Sequence, residues 1–231
     1  MYAYYSSYIL VIIGAIISGI AALNVKSTFK KYSKVANARY MTGAQAAEKI
    51  LHDAGIYDVA IRHVSGNLTD NYDPRNKTLN LSDTVYGSAS VAAIGVAAHE
   101  CGHAIQDAQQ YLPLKFRSVY VPVANIGSKL SWPVLLLGVI LGFPQVAEIG
   151  VWMFFLVVLF QVVTLPVEFN ASGRALKILG NTGIMGVTEL KSTKKVLTAA
   201  ALTYVAALFT TILQLIRMLA IAQGGSNRRR R

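Results

Sequence analysis

Gly95-Val-Ala-Ala-His-Glu-Cys-Gly-His-Ala-Ile-Gln106 is a proline-free stretch that predicts a helix, and its centre is an HExxH sequence. His99 and His103 are four residues apart, so a helix places both imidazoles on one face, where they can bind one metal ion. Glu100 lies beside them, where its carboxylate can accept a proton from a metal-bound water. Two nitrogen ligands and an adjacent base favour a zinc hydrolase site over two histidines that merely pack.

The composition indicates a multi-pass membrane protein. Of the 231 residues, 54% are hydrophobic and 14% are charged, and the mean hydropathy is +0.44. Four apolar runs approach the roughly 20 residues that a bilayer span requires, at 8–25, 118–143, 149–167 and 198–216. The second run is the weakest candidate, because it contains Lys129 and Pro133. The single cysteine, Cys101, excludes an intrachain disulfide and is interpreted as a small packing residue.

The net charge of +11 is concentrated next to the apolar runs. The basic residues that follow the first and third runs are Lys26, Lys30, Lys31, Lys34, Arg39, Arg174, Lys177, Lys191, Lys194 and Lys195. Positive residues near span ends favour the cytoplasmic side, so segments 26–117 and 168–197 are both predicted to lie there. Because aromatic residues do not alternate with these charges as in a single-strand binding surface, nucleic acid is not an expected partner.

The predicted fold is a mainly α membrane protein of about four transmembrane helices, joined to a small α+β cytosolic element that carries the HExxH helix. Thr42 and Gln45 form a capping box for a helix that ends before Gly55. Strands are predicted at 58–64 and 78–82, with a turn at 73–76 between them. The histidine helix is expected to begin after Ser88 or Ser90.

Five segments follow from these assignments. They are an N-terminal transmembrane helix (1–25), a zinc-peptidase element with the HExxH helix (26–117), a transmembrane hairpin (118–167), a cytosolic helical segment with the third zinc ligand (168–197), and a C-terminal transmembrane helix with a basic tail (198–231).

A catalytic zinc site usually has three protein ligands, and Glu168 is the preferred candidate for the third. It closes the apolar run 149–167, at a depth where an unpaired carboxylate is costly and a zinc ion would compensate it. His52 and His63 are the alternatives, and a glutamate that reaches the headgroup layer is a further interpretation. Ser172 follows Glu168 by one helical turn, where it can hydrogen-bond a ligand.

These stretches resemble the YugP-type neutral zinc metallopeptidases, membrane proteases of bacteria, over roughly residues 31–217. The matching motifs are Tyr72-Asp-Pro-Arg75, Gly95–Gln106, Val121-Pro-Val-Ala-Asn-Ile-Gly127 and Leu165-Pro-Val-Glu-Phe-Asn-Ala-Ser172. A more distant similarity connects the chain with the HtpX and CAAX prenyl protease group, which is gluzincin-like. There the third ligand is the glutamate of a Glu-x-x-x-Asp pattern, which implies Glu168 here, with Ser172 in place of the aspartate.

The resemblance implies a zinc metalloendopeptidase that holds one Zn²⁺ per chain and cleaves peptide bonds by attack of zinc-bound water. His99, His103 and Glu168 would be the ligands and Glu100 the catalytic base. By analogy with related proteases, an edge strand beside the active helix would pair with extended substrate. The residues implied for substrate binding are Thr78, Leu79, Asn80 and Leu81. Arg174 would stabilise the oxyanion or act as an inward-side anchor.

The expected substrates are peptides or proteins associated with the membrane, and the expected location is the cell membrane, with the active site on the cytosolic face. The alternative function is a non-catalytic membrane scaffold or transporter-like protein with a structural zinc site. A structural site needs a fourth protein ligand, and His63 would be the residue to supply it.

Overall fold

A computed structural model of the chain describes residues 2–227, with side chains described for residues 8–224. The elements in chain order are α1 (Tyr2–Tyr32), α2 (Gly43–Asp53), β1 (Ala60–Val64), β2 (Asn71–Asp73), β3 (Thr78–Ser82), α3 (Val91–Ala108), α4 (Leu112–Leu141), α5 (Pro144–Asn181) and α6 (Val187–Asn227). The protein is mainly helical with one small sheet, as predicted. The basic tail, Arg228–Arg231, lies outside the described residues.

Four helices are long and apolar enough to cross a membrane, which confirms the predicted number within the described residues. Their candidate spans are Tyr8–Tyr32, Leu112–Leu141, Pro144–Asn181 and Val187–Gly224. Three boundaries of the predicted segments fall inside helices: the boundary at 118 lies in α4, the one at 168 in α5 and the one at 198 in α6. Pro133, which interrupts the second apolar run, likewise lies inside α4.

The chain divides into two compact units. The first contains the residues up to Ala22, Phe116–Leu165 and the residues from Thr203 onward. Its core packs Leu135 with Val151, Phe154 and Met218, while many other large apolar side chains face outward. Outward-facing apolar side chains on long helices are what a lipid environment requires.

The second unit contains Leu23–Lys115 and Pro166–Leu202, and its core is formed mainly by α2, α3, the sheet and the included part of α5. Helix α2 begins as predicted at a capping box, in which Thr42 Oγ1 accepts from Gln45 N and Gln45 Oε1 accepts from Thr42 N. It ends before Gly55, whose φ of +72° is a conformation that favours glycine.

The sheet has the order β1-β3-β2, with β1 parallel and β2 antiparallel to β3. The predicted strand at 78–82 is confirmed, but its predicted position at a sheet edge is wrong, because β3 is hydrogen-bonded on both sides. Asp70, the residue just before β2, accepts hydrogen bonds from the Ser82 backbone N (2.7 Å) and the Ser82 hydroxyl (3.0 Å). Strand β2 was not predicted, since three residues are too short to show an alternating pattern.

Helix α3 begins at Val91, and its N-cap is Ser90, whose hydroxyl accepts a hydrogen bond from Ala93 N (3.2 Å). A Cβ on Gly102 would lie 2.7 Å from the carbonyl oxygen of Ala171, which belongs to α5. The glycine therefore allows α3 and α5 to pack with their backbones almost in contact. This close approach brings the histidines of α3 next to the polar residues of α5.

The C-terminal end of α3 is connected to the sheet through Asp107. Its Oδ2 accepts from the Tyr72 hydroxyl (2.9 Å) and from Lys77 Nζ (2.7 Å), which lie on β2 and just before β3. The turn predicted at 73–76 is present, with Arg75 N donating to Asp73 Oδ1 (2.9 Å). Tyr72 and the turn after it therefore fix the sheet against the histidine helix.

Candidate metal centre

The structure brings His99, His103 and Glu168 together inside the second unit. The two imidazoles lie one turn apart on α3 with ring centroids 4.8 Å apart. Glu168 Oε2 lies 3.2 Å from His99 Nε2 and 3.6 Å from His103 Nε2. Three potential ligand atoms, one from each residue, lie within 4.8 Å of one another. Glu168 is 2% exposed, so its carboxylate faces the two rings rather than solvent.

This donor set suits zinc. Two imidazole nitrogens and one carboxylate oxygen are the three protein ligands of a common class of catalytic zinc sites. The Nε2 atoms of both histidines are directed at the same carboxylate oxygen, while both Nδ1 atoms bind other side chains. A metal ion bound among these atoms would neutralise a carboxylate that is otherwise buried against two rings.

Ser172 contacts His99 on the Nδ1 side of the ring, away from Glu168. The serine hydroxyl lies 3.0 Å from His99 Nδ1, so it can accept a hydrogen bond from that nitrogen and leave Nε2 free to bind a metal. Ser172 follows Glu168 by one turn of α5, and the spacing therefore places the ligand and the supporting hydroxyl on one helix face.

His103 is held by Gln106, a residue to which the sequence analysis gives no role. Gln106 Oε1 lies 3.0 Å from His103 Nδ1, and Gln106 Nε2 donates to Val167 O and Asn170 Oδ1, both at 2.9 Å. Because two acceptors fix the amide nitrogen, the amide oxygen must face the ring and accept from Nδ1–H. In the neutral ring, which is the form that binds a metal, the lone pair of His103 therefore lies on Nε2, on the side of Glu168.

Asn170 and Arg174 extend this network along α5. Arg174 Nε donates to Asn170 Oδ1 (2.6 Å), and Arg174 Nη1 donates to Gln109 Oε1 (2.6 Å). Arg174 is thus connected to His103 through Asn170 and Gln106. Its guanidinium supports the ligand network, and the oxyanion role inferred from the resemblance stays a prediction.

Glu100 follows His99 on α3 and is 8% exposed. Burial raises the pKa of its carboxyl, and the charges of His99 and His103 act in the opposite direction. Burial lowers the pKa of His103, but the carboxylates of Glu168 and Glu100 outweigh it, so that pKa is raised. A buried carboxyl group beside two metal-ligand candidates is a candidate general base.

The alternative third ligands have other partners. His63 Nε2 lies 2.7 Å from Asp83 Oδ1, its side chain is 50% exposed, and its ring packs against Tyr86. The His52 ring packs against Tyr57. Among residues 8–224, the His, Cys, Asp and Glu side chains that cluster closely enough to hold a metal ion are those of His99, His103 and Glu168.

The substrate-binding prediction for Thr78, Leu79, Asn80 and Leu81 is wrong in its physical premise. Thr78, Leu79 and Asn80 pair with β1 on one side and with β2 on the other, so their backbone groups are already bonded. Leu81 pairs with β1 and is fully buried. A substrate strand cannot add to a strand that has no free edge.

Comparison with known proteins agrees with this geometry. The sequence matches the family described as "Putative neutral zinc metallopeptidase" over residues 7–223. It is 43% identical over 205 residues to the "Putative membrane protease YugP" of Bacillus subtilis (strain 168), an alignment that covers 89% of this chain and 91% of the relative. No solved structure matches the chain. With four apolar helices and a match over almost its entire length, the chain is a membrane protein that belongs to this zinc metallopeptidase family.

Proposed function

We propose that the protein is a membrane-embedded zinc metallopeptidase that hydrolyses peptide bonds in membrane-associated polypeptides. The observation that supports this most is the convergence of two imidazole nitrogens on one buried carboxylate oxygen, with a buried glutamate next to the first histidine. His99, His103 and Glu168 would hold one zinc ion. Zinc, when bound, acts as a Lewis acid that polarises the scissile carbonyl and acidifies water.

The chain's own residues perform the proton transfer and the positioning. Glu100 accepts a proton from the attacking water and delivers it to the leaving amine, because it is buried next to the first histidine ligand. Ser172 and Gln106 hold the rings of His99 and His103 in the orientation that the ligands need. These bonds exist before substrate arrives, so the site does not have to reorganise during the reaction.

The location of the site supports membrane-associated substrates. Glu168 follows the apolar run 149–167 directly within α5, so the ligand lies at the end of that run. The basic residues that follow this run, such as Arg174 and Lys177, favour the cytosolic side for this part of the chain. A peptidase placed there would meet cytosolic segments of membrane proteins.

The alternative, a structural zinc site in a scaffold or transporter, requires a fourth protein ligand. His63 was the candidate, and it is engaged with Asp83 instead. Three ligands leave one coordination position for water or substrate, as a hydrolase needs.

Metal removal and restoration tests the proposal. Detergent-purified protein is expected to cleave casein or a fluorogenic peptide, to lose this activity in 1,10-phenanthroline, and to regain it when stoichiometric zinc is added. Cleavage that persists after complete removal of the metal would contradict the proposal.

A further inference from the structure

A cavity of about 740 Å³ lies in the second unit, and its lining does not include His99, His103 or Glu168. It is lined by residues of α2, the C-terminal half of α3, and the stretch of α5 that begins at Phe169. Its volume is within the usual range for small-molecule sites. We propose that this cavity binds the phosphate-bearing headgroup of an anionic membrane lipid, and we call it the headgroup pocket.

The charged groups of the headgroup pocket are two cations without an anionic partner and one neutralised carboxylate. Arg174 and Lys177 are one turn apart on α5 and both line the pocket. Asp53 also lines it, but its Oδ2 lies 3.0 Å from Lys49 Nζ. Among residues 8–224, no carboxylate lies within 4.0 Å of Arg174 or Lys177. The pocket therefore presents positive charge that an anionic ligand can neutralise.

The guanidinium of Arg174 is already held in place. Neutral amide oxygens of Asn170 and Gln109 accept two of its N–H groups, and its Cζ lies 5.9 Å from the centre of the Tyr111 ring. Three of the five N–H groups of an arginine then remain available. A fixed guanidinium loses little side-chain entropy on binding, and its planar donors match the oxygens of a phosphate.

The walls and the position of the pocket favour a lipid over a free anion. Ile50, Ile105 and Ile178 contribute apolar surface beside the two cations. Phe169, another wall residue, is 51% exposed and lies two residues after the end of the apolar run 149–167. Cations just beyond the apolar run of a membrane helix lie at the level of the lipid phosphates. A ligand with an anionic head and an apolar body satisfies both parts of the lining.

Gly173 makes the proposal testable by shape as well as by charge. It lines the pocket, and a Cβ built on it meets no atom within 4 Å. Leucine at this helical position should therefore be accepted by the fold and should fill part of the pocket, while both cations stay in place. Nonspecific electrostatic binding of anionic lipid to the basic protein would keep the same affinity after this substitution, because the charges of the protein do not change.

The experiment uses full-length, delipidated protein in neutral detergent, titrated separately with short-chain phosphatidylglycerol, short-chain phosphatidylcholine and inorganic phosphate. Binding is measured by native mass spectrometry and by thermal stabilisation. We expect one phosphatidylglycerol per chain, bound at least about fivefold more tightly than phosphatidylcholine. Lys177→Gln should weaken this binding about fivefold, the effect of removing one surface cation, and Gly173→Leu should weaken it at least as much.

Lys191→Gln is the matched control, because Lys191 is an exposed lysine of α6 in the same unit and outside the pocket. It should bind phosphatidylglycerol like the unmodified protein, and all variants should unfold at similar temperatures without lipid. Unchanged phosphatidylglycerol affinity in both Lys177→Gln and Gly173→Leu would overturn the assignment of the pocket. Equal affinity for inorganic phosphate would overturn the assignment of a lipid. Lys177 takes no part in the hydrogen bonds around His103, so this outcome is independent of peptide hydrolysis.

Discussion

Replacement of Gln106 by leucine should lower the zinc affinity by a factor of about 10 to 100, the usual effect of removing a group that orients a metal ligand. This corresponds to about 1.4 to 2.7 kcal/mol of binding free energy. The reason is the 3.0 Å hydrogen bond between Gln106 Oε1 and His103 Nδ1, which directs the His103 lone pair towards Glu168. Leucine has a similar volume but leaves the ring free to rotate or to change its tautomer.

Gln106 is fully buried, so its replacement also affects stability. Val167 O and Asn170 Oδ1 each lose a donor, although Asn170 keeps the bond from Arg174. The free energy of unfolding should fall by about 1 to 3 kcal/mol for a buried acceptor left without a partner. The assay must therefore separate metal affinity from stability. Zinc affinity is measured by competition with a chromophoric chelator, and stability is measured by thermal unfolding in EDTA.

Two further variants separate these effects. Gln106→Glu keeps an oxygen that can accept from His103 Nδ1 but places a carboxylate against two acceptor oxygens, so it should bind zinc better than Gln106→Leu while being no more stable. Thr193→Val removes a buried hydroxyl that donates to Met185 Sδ (3.0 Å), which should reduce stability and leave zinc affinity unchanged. A zinc affinity of Gln106→Leu within twofold of the unmodified protein would refute the orienting role.

Three other predictions concern single residues. Glu168→Ala should reduce zinc occupancy at least about tenfold, as measured by metal analysis after dialysis against a zinc buffer, and unchanged occupancy would mean that another residue is the third ligand. Cys101 should resist maleimide in the folded protein and react after unfolding. The reason is that it is fully buried, its thiol lies 3.6 Å from Ala47 O, and burial raises the pKa of the thiol. Fast labelling of the native protein would contradict this prediction. Burial raises the pKa of Asp70 above 3.8, so folding favours its protonated form and stability should decrease as the pH rises from about 3.8 through the folded-state pKa. Thermal unfolding of Asp70→Asn should lack this part of the pH dependence. If the unfolding temperatures of Asp70→Asn and the unmodified protein changed identically with pH, the prediction would be wrong.

Features that depend on neighbouring residues could be predicted from the sequence. The Thr42–Gln45 capping box, the start of α3 after Ser90 and the pairing of His99 with His103 all depend on residues within one or two turns. Helical periodicity and capping chemistry determine them without knowledge of the remaining fold. The placement of Glu168 was also predicted, because a carboxylate at the end of an apolar run needs a compensating partner.

Features that depend on distant partners could not be predicted in the same way. Strand β3 shows the alternation of a strand, but its central position depends on β1 and β2, and pairing partners are not visible in an alternating pattern. Gln106 lies three residues after His103, so its contact with the ring is local. Its fixed orientation depends on Val167 and Asn170, some 60 positions away in the sequence.

The continuity of α5 could not be predicted for a related reason. The apolar run 149–167 predicts a span and the segment 168–197 is predicted to be helical, but that one helix continues from the span to Asn181 depends on the packing of its polar residues against α3. Ala171 lies against Gly102, and Glu168 and Ser172 face the histidines. The hydropathy of the sequence indicates where the lipid-facing part of α5 ends. It does not show that the polar part of the helix continues by packing against α3.

The most direct test of a zinc peptidase with Glu100 as its base is the comparison of zinc content and peptide cleavage in Glu100→Gln and the unmodified protein. Glu48→Gln, which changes an exposed glutamate of α2, is the matched control. We expect about one zinc per chain in all three proteins, with cleavage reduced at least about 100-fold in Glu100→Gln alone, because the ligands remain and the base is lost. Cleavage by Glu100→Gln at the rate of the control, with zinc bound, would contradict this prediction.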